Sequence, residues 1–156
     1  MNKVFKLTAA IAICEGVGIL GSVFTIPSIT SWYQTLNKPF FNPPNFIFGP
    51  VWTTLYALMG VSIYLILEKK LKKQKRILLF LFSLQLVLNF WWSILFFGLR
   101  LPLAALIEIA VLWLSILVLI IKFYKFSKPA SILLIPYIVW VSFASLLNAS
   151  IVILNK

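Results

Sequence analysis

An all-α membrane bundle of five helices is the fold class this sequence predicts, and three observations predict it. Five apolar runs are each about 20 residues long, the length a helix rising about 1.5 Å per residue needs to cross roughly 30 Å of hydrocarbon. The chain of 156 residues is 62% hydrophobic and 11% charged, with a mean hydropathy of +1.05, whereas a domain dissolved in water needs roughly a quarter of its residues charged. The basic residues fall between the runs, alternately dense and sparse, as topology signals do.

The first span, residues 4–26, follows Lys3 and Lys6. A basic start before an apolar stretch imitates a secretory leader, but no small-x-small cleavage site leads into a polar region. Ile13 before Cys14 does not make a lipobox, so the run is read as a helix that stays. Its Gly16, Gly18, Gly21 and Ser22 let another helix approach closely, within the bundle or across a dimer. Residues 27–45, PSITSWYQTLNKPFFNPPN, form the one long connection. Rich in aromatics and proline where a spacer is usually polar and flexible, it is expected to pack on the bundle as a lid.

The second span, residues 46–67, carries Phe48, Trp52, Tyr56, Gly60 and Tyr64 in steps of four, hence on one face. The third, residues 76–98, places Gln85, Asn89, Trp92 and Phe96 on one stripe; amides are costly in lipid, so this stripe faces inward. The fourth, residues 102–121, contains Glu108. The fifth, residues 129–154, has the row Pro136, Trp140, Ala144 and Asn148, and a proline in mid-helix is expected to bend it and free a carbonyl. The rows describe an aromatic cavity opening toward the outside. Aromatic rows serve packing as readily as pockets; the amides Asn89 and Asn148 and the lid are what a pocket for a flat ligand adds. Without an internal repeat, residues 1–156 read as a single domain.

Eleven Lys and Arg residues fall on one side: Lys3, Lys6, the six between Lys69 and Arg76, and Lys122, Lys125 and Lys128. The other side has Lys38, Arg100 and Lys156. The positive-inside rule then puts the N-terminus inside and the C-terminus outside, which suits the cytoplasmic membrane of a bacterium. Because the net charge of +11 flanks apolar segments and forms no polar face, it implies no nucleic-acid partner. A lone cysteine, Cys14, excludes an intrachain disulfide and a cysteine-based zinc site, and the absence of histidine removes imidazole ligation and most hydrolytic chemistry. No metal site and no cofactor is expected. Glu15 and Glu108 sit at membrane depth, where an ionisable group is a candidate for binding a proton or cation; the alternative is a neutral, hydrogen-bonded carboxyl between helices. A proton-coupled transporter built on them lacks the inverted repeat of alternating access.

Specific strings carry more than periodicity. They are Trp32-Tyr33 with Leu36; Lys38-Pro39-Phe40-Phe41-Asn42-Pro43-Pro44; Phe48-Gly49-Pro50-Val51-Trp52-Thr53-Thr54-Leu55-Tyr56; Gln85, Leu88-Asn89, Trp92 and Phe96-Phe97-Gly98; then Pro136-Tyr137, Trp140, Phe143-Ala144 and Leu147-Asn148. In order and spacing the chain resembles the TspO/MBR family of tryptophan-rich sensory proteins and translocator proteins. The resemblance implies a five-helix bundle, usually a homodimer in the lipid bilayer, with a pocket beneath the first loop formed largely by helices 1, 2 and 5. Family ligands include porphyrins such as protoporphyrin IX, sterols in animal members and synthetic isoquinoline carboxamides. Trp52 and Trp140 match the two pocket tryptophans implicated in light-dependent porphyrin breakdown. Trp32, Tyr33, Pro43 and Pro44 match the cover of the pocket, and Asn89, Ala144, Leu147 and Asn148 its helical walls; Phe48 and Trp92, from the aromatic stripes of their helices, complete the candidate ligand-binding set. Lys38 suits a porphyrin propionate or, equally, an interfacial anchor. Where many relatives have tryptophan, this chain has Phe40-Phe41. Where animal members have Tyr and Arg after the asparagine, it has Ala149-Ser150-Ile151, so the resemblance does not extend to high-affinity cholesterol binding. Leu119, Tyr124 and Lys128 fit only a loose cholesterol pattern.

Overall fold

The computed structural model describes residues 2–156. Five helices are long and apolar enough to cross a membrane, and the described residues contain no strand. The first, α1 (Lys3–Ile29), starts where the Asn2 side chain accepts a hydrogen bond from the Val4 amide, occupying one of the amides a helix start leaves unpaired. A four-residue helix, α2 (Trp32–Thr35), and a 3₁₀ turn, Asn45–Ile47, lie in the long connection. Then come α3 (Phe48–Leu67), α4 (Lys73–Ser93), α5 (Pro102–Tyr124), the short α6 (Lys128–Ile132) and α7 (Ile135–Leu154).

Three departures from the sequence expectation have a local reason. Helix α1 runs past residue 26 and through Pro27. Its end is held because the Ser28 hydroxyl donates to the Phe97 carbonyl at 2.7 Å and the Ser31 hydroxyl to the Pro27 carbonyl at 2.6 Å. The last span is two helices. Pro136 does not bend mid-helix: it stands in the first turn of α7, where its missing amide costs no bond, and the chain breaks at Leu133–Leu134. The third span ends in a π turn, Ile94–Gly98, closed by the Leu99 amide donating to the Ile94 carbonyl at 2.7 Å. The wider turn buries two successive rings, Phe96 and Phe97.

Around the bundle, α1 packs between α3 and α4, α5 packs between α4 and α7, and α6 touches α3. The closest approach is between α1 and α3. A Cβ on Gly60 would lie 2.5 Å from the Ile11 Cα, and one on Gly18 would overlap the Tyr56 ring; absent side chains there let the two backbones meet. The half of the bundle nearer the connection between α3 and α4 is solid, with Met59, Ile66, Ile116, Leu119, Phe123 and Leu134 all fully buried. Phe5, Ile13, Val23, Phe80, Val87, Ile107 and Val139 are exposed around the outside, an apolar belt that lipid satisfies and water does not. That solid half leaves the half nearer the long connection to hold the site.

Candidate functional site beneath the lid

A cavity of about 490 Å³ occupies the half of the bundle nearer the long connection, within the range of about 300–1,000 Å³ usual for small-molecule sites. Four spans line it: α1, α3, the C-terminal part of α4 with its π turn, and α7. The resemblance implied helices 1, 2 and 5; α4 joins them through Asn89, Trp92, Ser93, Phe96 and Phe97. Exposed Ile19 and Ile26 of α1, exposed Phe46 of the 3₁₀ turn and exposed Gly49 and Thr53 at the start of α3 also border it, so the cavity opens on the flank between these helices.

The long connection packs on the bundle as a lid. Tyr33, 1% exposed, sits between Phe96 and Phe97 at centroid distances of 6.2 and 5.8 Å, and its hydroxyl donates to the Asn42 Oδ1 at 2.6 Å. Burial pushes that hydroxyl up to about 12, so it remains a neutral donor at ordinary pH. Trp32 stacks edge-on against Phe96 at 5.7 Å, and Phe41 meets Phe143 of α7 at 6.2 Å. Asn155 ties the lid to the end of α7, accepting from the Asn37 amide and donating to its carbonyl, both at 2.9 Å.

Of the residues singled out in the sequence, Tyr33, Phe48, Trp52, Asn89, Trp92, Trp140, Ala144, Leu147 and Asn148 line the cavity together. Trp32, Lys38, Pro43 and Pro44 do not. Lys38 points away, donating to the carbonyls of Tyr33, Leu36 and Gln34 at 2.8, 3.2 and 3.4 Å with its ammonium 5.1 Å from the Tyr33 ring. It braces the lid. Pro44 precedes the 3₁₀ turn that leads into α3. Sequence reasoning missed Phe97, Thr53 and Ser93 as lining residues; Phe97 follows from the π turn, for which a helical period gives no signal.

The amides do not face the cavity with free groups. Tyr56 donates to the Asn89 Oδ1 at 2.6 Å and the Asn89 amide donates to the Tyr137 hydroxyl at 2.8 Å, joining α3, α4 and α7 across the floor. Trp92 donates to the Asn148 Oδ1 at 3.2 Å, and Asn148 donates to the Pro102 carbonyl at 2.8 Å. Both asparagines therefore hold helices together. Trp52 and Trp140 differ: neither indole N–H has a partner among the described residues, and both rings line the cavity from opposite helices. Trp52 packs against Tyr56 and Tyr137 at 5.7 and 6.3 Å; Trp140 packs against Phe48 and Phe143 at 6.1 and 5.4 Å. Those contacts fix the rings and leave both N–H donors unengaged among the described residues.

The two membrane-depth carboxyls separate. Glu15 lines the cavity, whereas Glu108, 9% exposed, is buried outside the lining with neither oxygen hydrogen-bonded.

The sequence pattern of the TspO/MBR family matches residues 10–154. The chain is 47% identical to the tryptophan-rich protein TspO of Chlorobaculum tepidum, the match covering 99% of each. It is 46% identical to the tryptophan-rich protein TspO of Archaeoglobus fulgidus over 98% of this chain and 99% of that one. With the tryptophan-rich sensory protein of Cereibacter sphaeroides it shares 34% identity over 80% and 77% of the respective chains.

Proposed function

The chain belongs to the TspO/MBR family, and from that premise we propose that it is a membrane receptor for tetrapyrroles and similar flat hydrophobic molecules, with a sensory or regulatory role. One observation carries the reading: Trp52 and Trp140 line a lidded cavity from α3 and α7 with neither indole N–H partnered among the described residues. A porphyrin offers a broad π face and peripheral carboxylates, which aromatic walls and indole donors suit. The names of its relatives, one of them a sensory protein, support a role in reporting a ligand.

Protoporphyrin IX is titrated in the dark into the detergent-purified protein and quenching of tryptophan emission is followed. Trp140→Phe is expected to weaken affinity about tenfold, beyond the loss of one emitter, as removal of one contact worth roughly 1–2 kcal/mol does. Unchanged affinity contradicts the pocket assignment.

A second reading, light-dependent degradation of the bound porphyrin, rests on the same two indoles flanking the cavity. Illuminated complexes of wild type and of the Trp52→Phe/Trp140→Phe variant that bleach at one rate contradict it. The lack of histidine and of paired acid–base groups among the lining residues leaves no route to a conventional hydrolytic turnover.

A further inference from the structure

Glu15 is the one charged side chain among the residues that line the cavity. It makes no hydrogen bond or ion pair among the described residues; the one ion pair there joins Lys6 to Glu68. Of the α1 residues on the lining it is the furthest from the lid, about 14 residues or roughly 21 Å of helix before Ile29. It therefore lies at the inner end, level with a floor whose other polar groups are engaged, since Tyr56 and Asn89 are bonded to each other and Asn89 to Tyr137. Glu15 is the free acceptor at that end. Gly18, one turn nearer the lid on the same face, has no side chain to cover the carboxyl, and Gly16 has open space where a Cβ would stand.

A carboxyl without a partner at membrane depth is costly, and a proton donor carried on a ligand offsets that cost. Nothing in the lining offers the opposite sign: Lys38 is held by three backbone carbonyls outside the cavity. An acidic ligand edge has only the neutral indoles and the lid side to meet.

Resting on the ligand-binding reading above, we propose that Glu15 is the specificity-determining residue of the cavity. It accepts a hydrogen bond from a nitrogen-borne proton, so the site favours flat aromatic ligands with an amino or protonated ring-nitrogen group at the end that enters first. Anionic groups stay toward the lid.

Two probes of one shape test this: 9-aminoacridine, a flat cation with N–H donors, and acridine, neutral at pH 7.5 and without a donor. Binding of each to wild type, Glu15→Gln and Glu15→Ala is measured by probe fluorescence in a nonionic detergent, with thermal midpoints recorded alongside. Wild type is expected to prefer 9-aminoacridine by about tenfold or more, the worth of a hydrogen bond to a charged group. Both variants are expected to lose that preference while acridine affinity changes by less than about twofold. Unchanged 9-aminoacridine affinity in the variants overturns the assignment, as does equal weakening of both probes. Protoporphyrin IX titrated into the same samples separates the two failures: Trp140-dependent porphyrin binding with a Glu15-independent amine sinks this inference alone, and Trp140-independent porphyrin binding sinks the broader reading.

Discussion

Tyr33 is where one residue holds the lid. Its hydroxyl donates to Asn42 within the loop while its ring is buried against Phe96 and Phe97, so removing its proton would place a charge among apolar rings. The unfolded phenol ionises at 10.0 and the buried one near 12. The unfolded state thus loses its proton first, and stability falls as pH rises through that interval. Lid docking, followed by tryptophan emission, is expected to hold constant below about pH 10 and to weaken between there and about 12; Tyr33→Phe is expected to remove that part of the loss, and an identical alkaline profile contradicts the assignment. Which way Asn89 and Asn148 point is legible in the sequence, because an amide is costly in lipid. What they bond is not. Their partners Tyr56, Tyr137, Trp92 and Pro102 come from other helices, and only the way the helices cross brings them within reach. The same blindness hides the role of Lys38, whose motif fits a ligand contact and whose geometry is that of a brace.

At the scale of elements, the α1–α3 seam decides the shape of the cavity. Gly60 has the Ile11 backbone where its Cβ would stand, whereas Gly49 has nothing within 4 Å. Gly60→Val is expected to destabilise by about 1–3 kcal/mol, since backbone cannot step aside as a side-chain tip can, and Gly49→Ala to leave the thermal midpoint within a degree or so of wild type. Equal midpoints for Gly60→Val and wild type contradict the packing. The spans themselves are legible from run length, because the hydrocarbon thickness imposes it. Their ends and irregularities are less so. Pro136 marks a discontinuity correctly but not its form: a proline is accommodated either inside a bent helix or in the first turn of a new one, and here Leu133–Leu134 break ahead of it. The π turn at Ile94–Gly98 has no local signature, yet it is what turns Phe97 inward.

For the whole molecule, charge and hollow space are both asymmetric. The basic connections gather at the end of the bundle that carries the Lys6–Glu68 pair and the bond from Lys75 to the Leu67 carbonyl; the cavity and lid occupy the other end. Positive-inside topology therefore predicts that the lid faces outside. In a Cys14→Ser background, a cysteine replacing Lys156 is expected to react with a membrane-impermeant maleimide in intact cells, and one replacing Lys70 only after permeabilisation; the reverse pattern inverts the topology. On the proposed function, the flank opening beside Ile19 and Phe46 is where a hydrophobic ligand enters from the bilayer without crossing water. A porphyrin bound as proposed lies in the lidded cavity. Ala144 lines it from α7 and is only half-buried, so Ala144→Trp places an indole in empty space and not in the packed core. The most direct measurement is dark titration of that variant with protoporphyrin IX beside its thermal midpoint. The account predicts an undiminished midpoint with affinity down about tenfold or more; wild-type affinity in the filled cavity would place the porphyrin elsewhere on the protein.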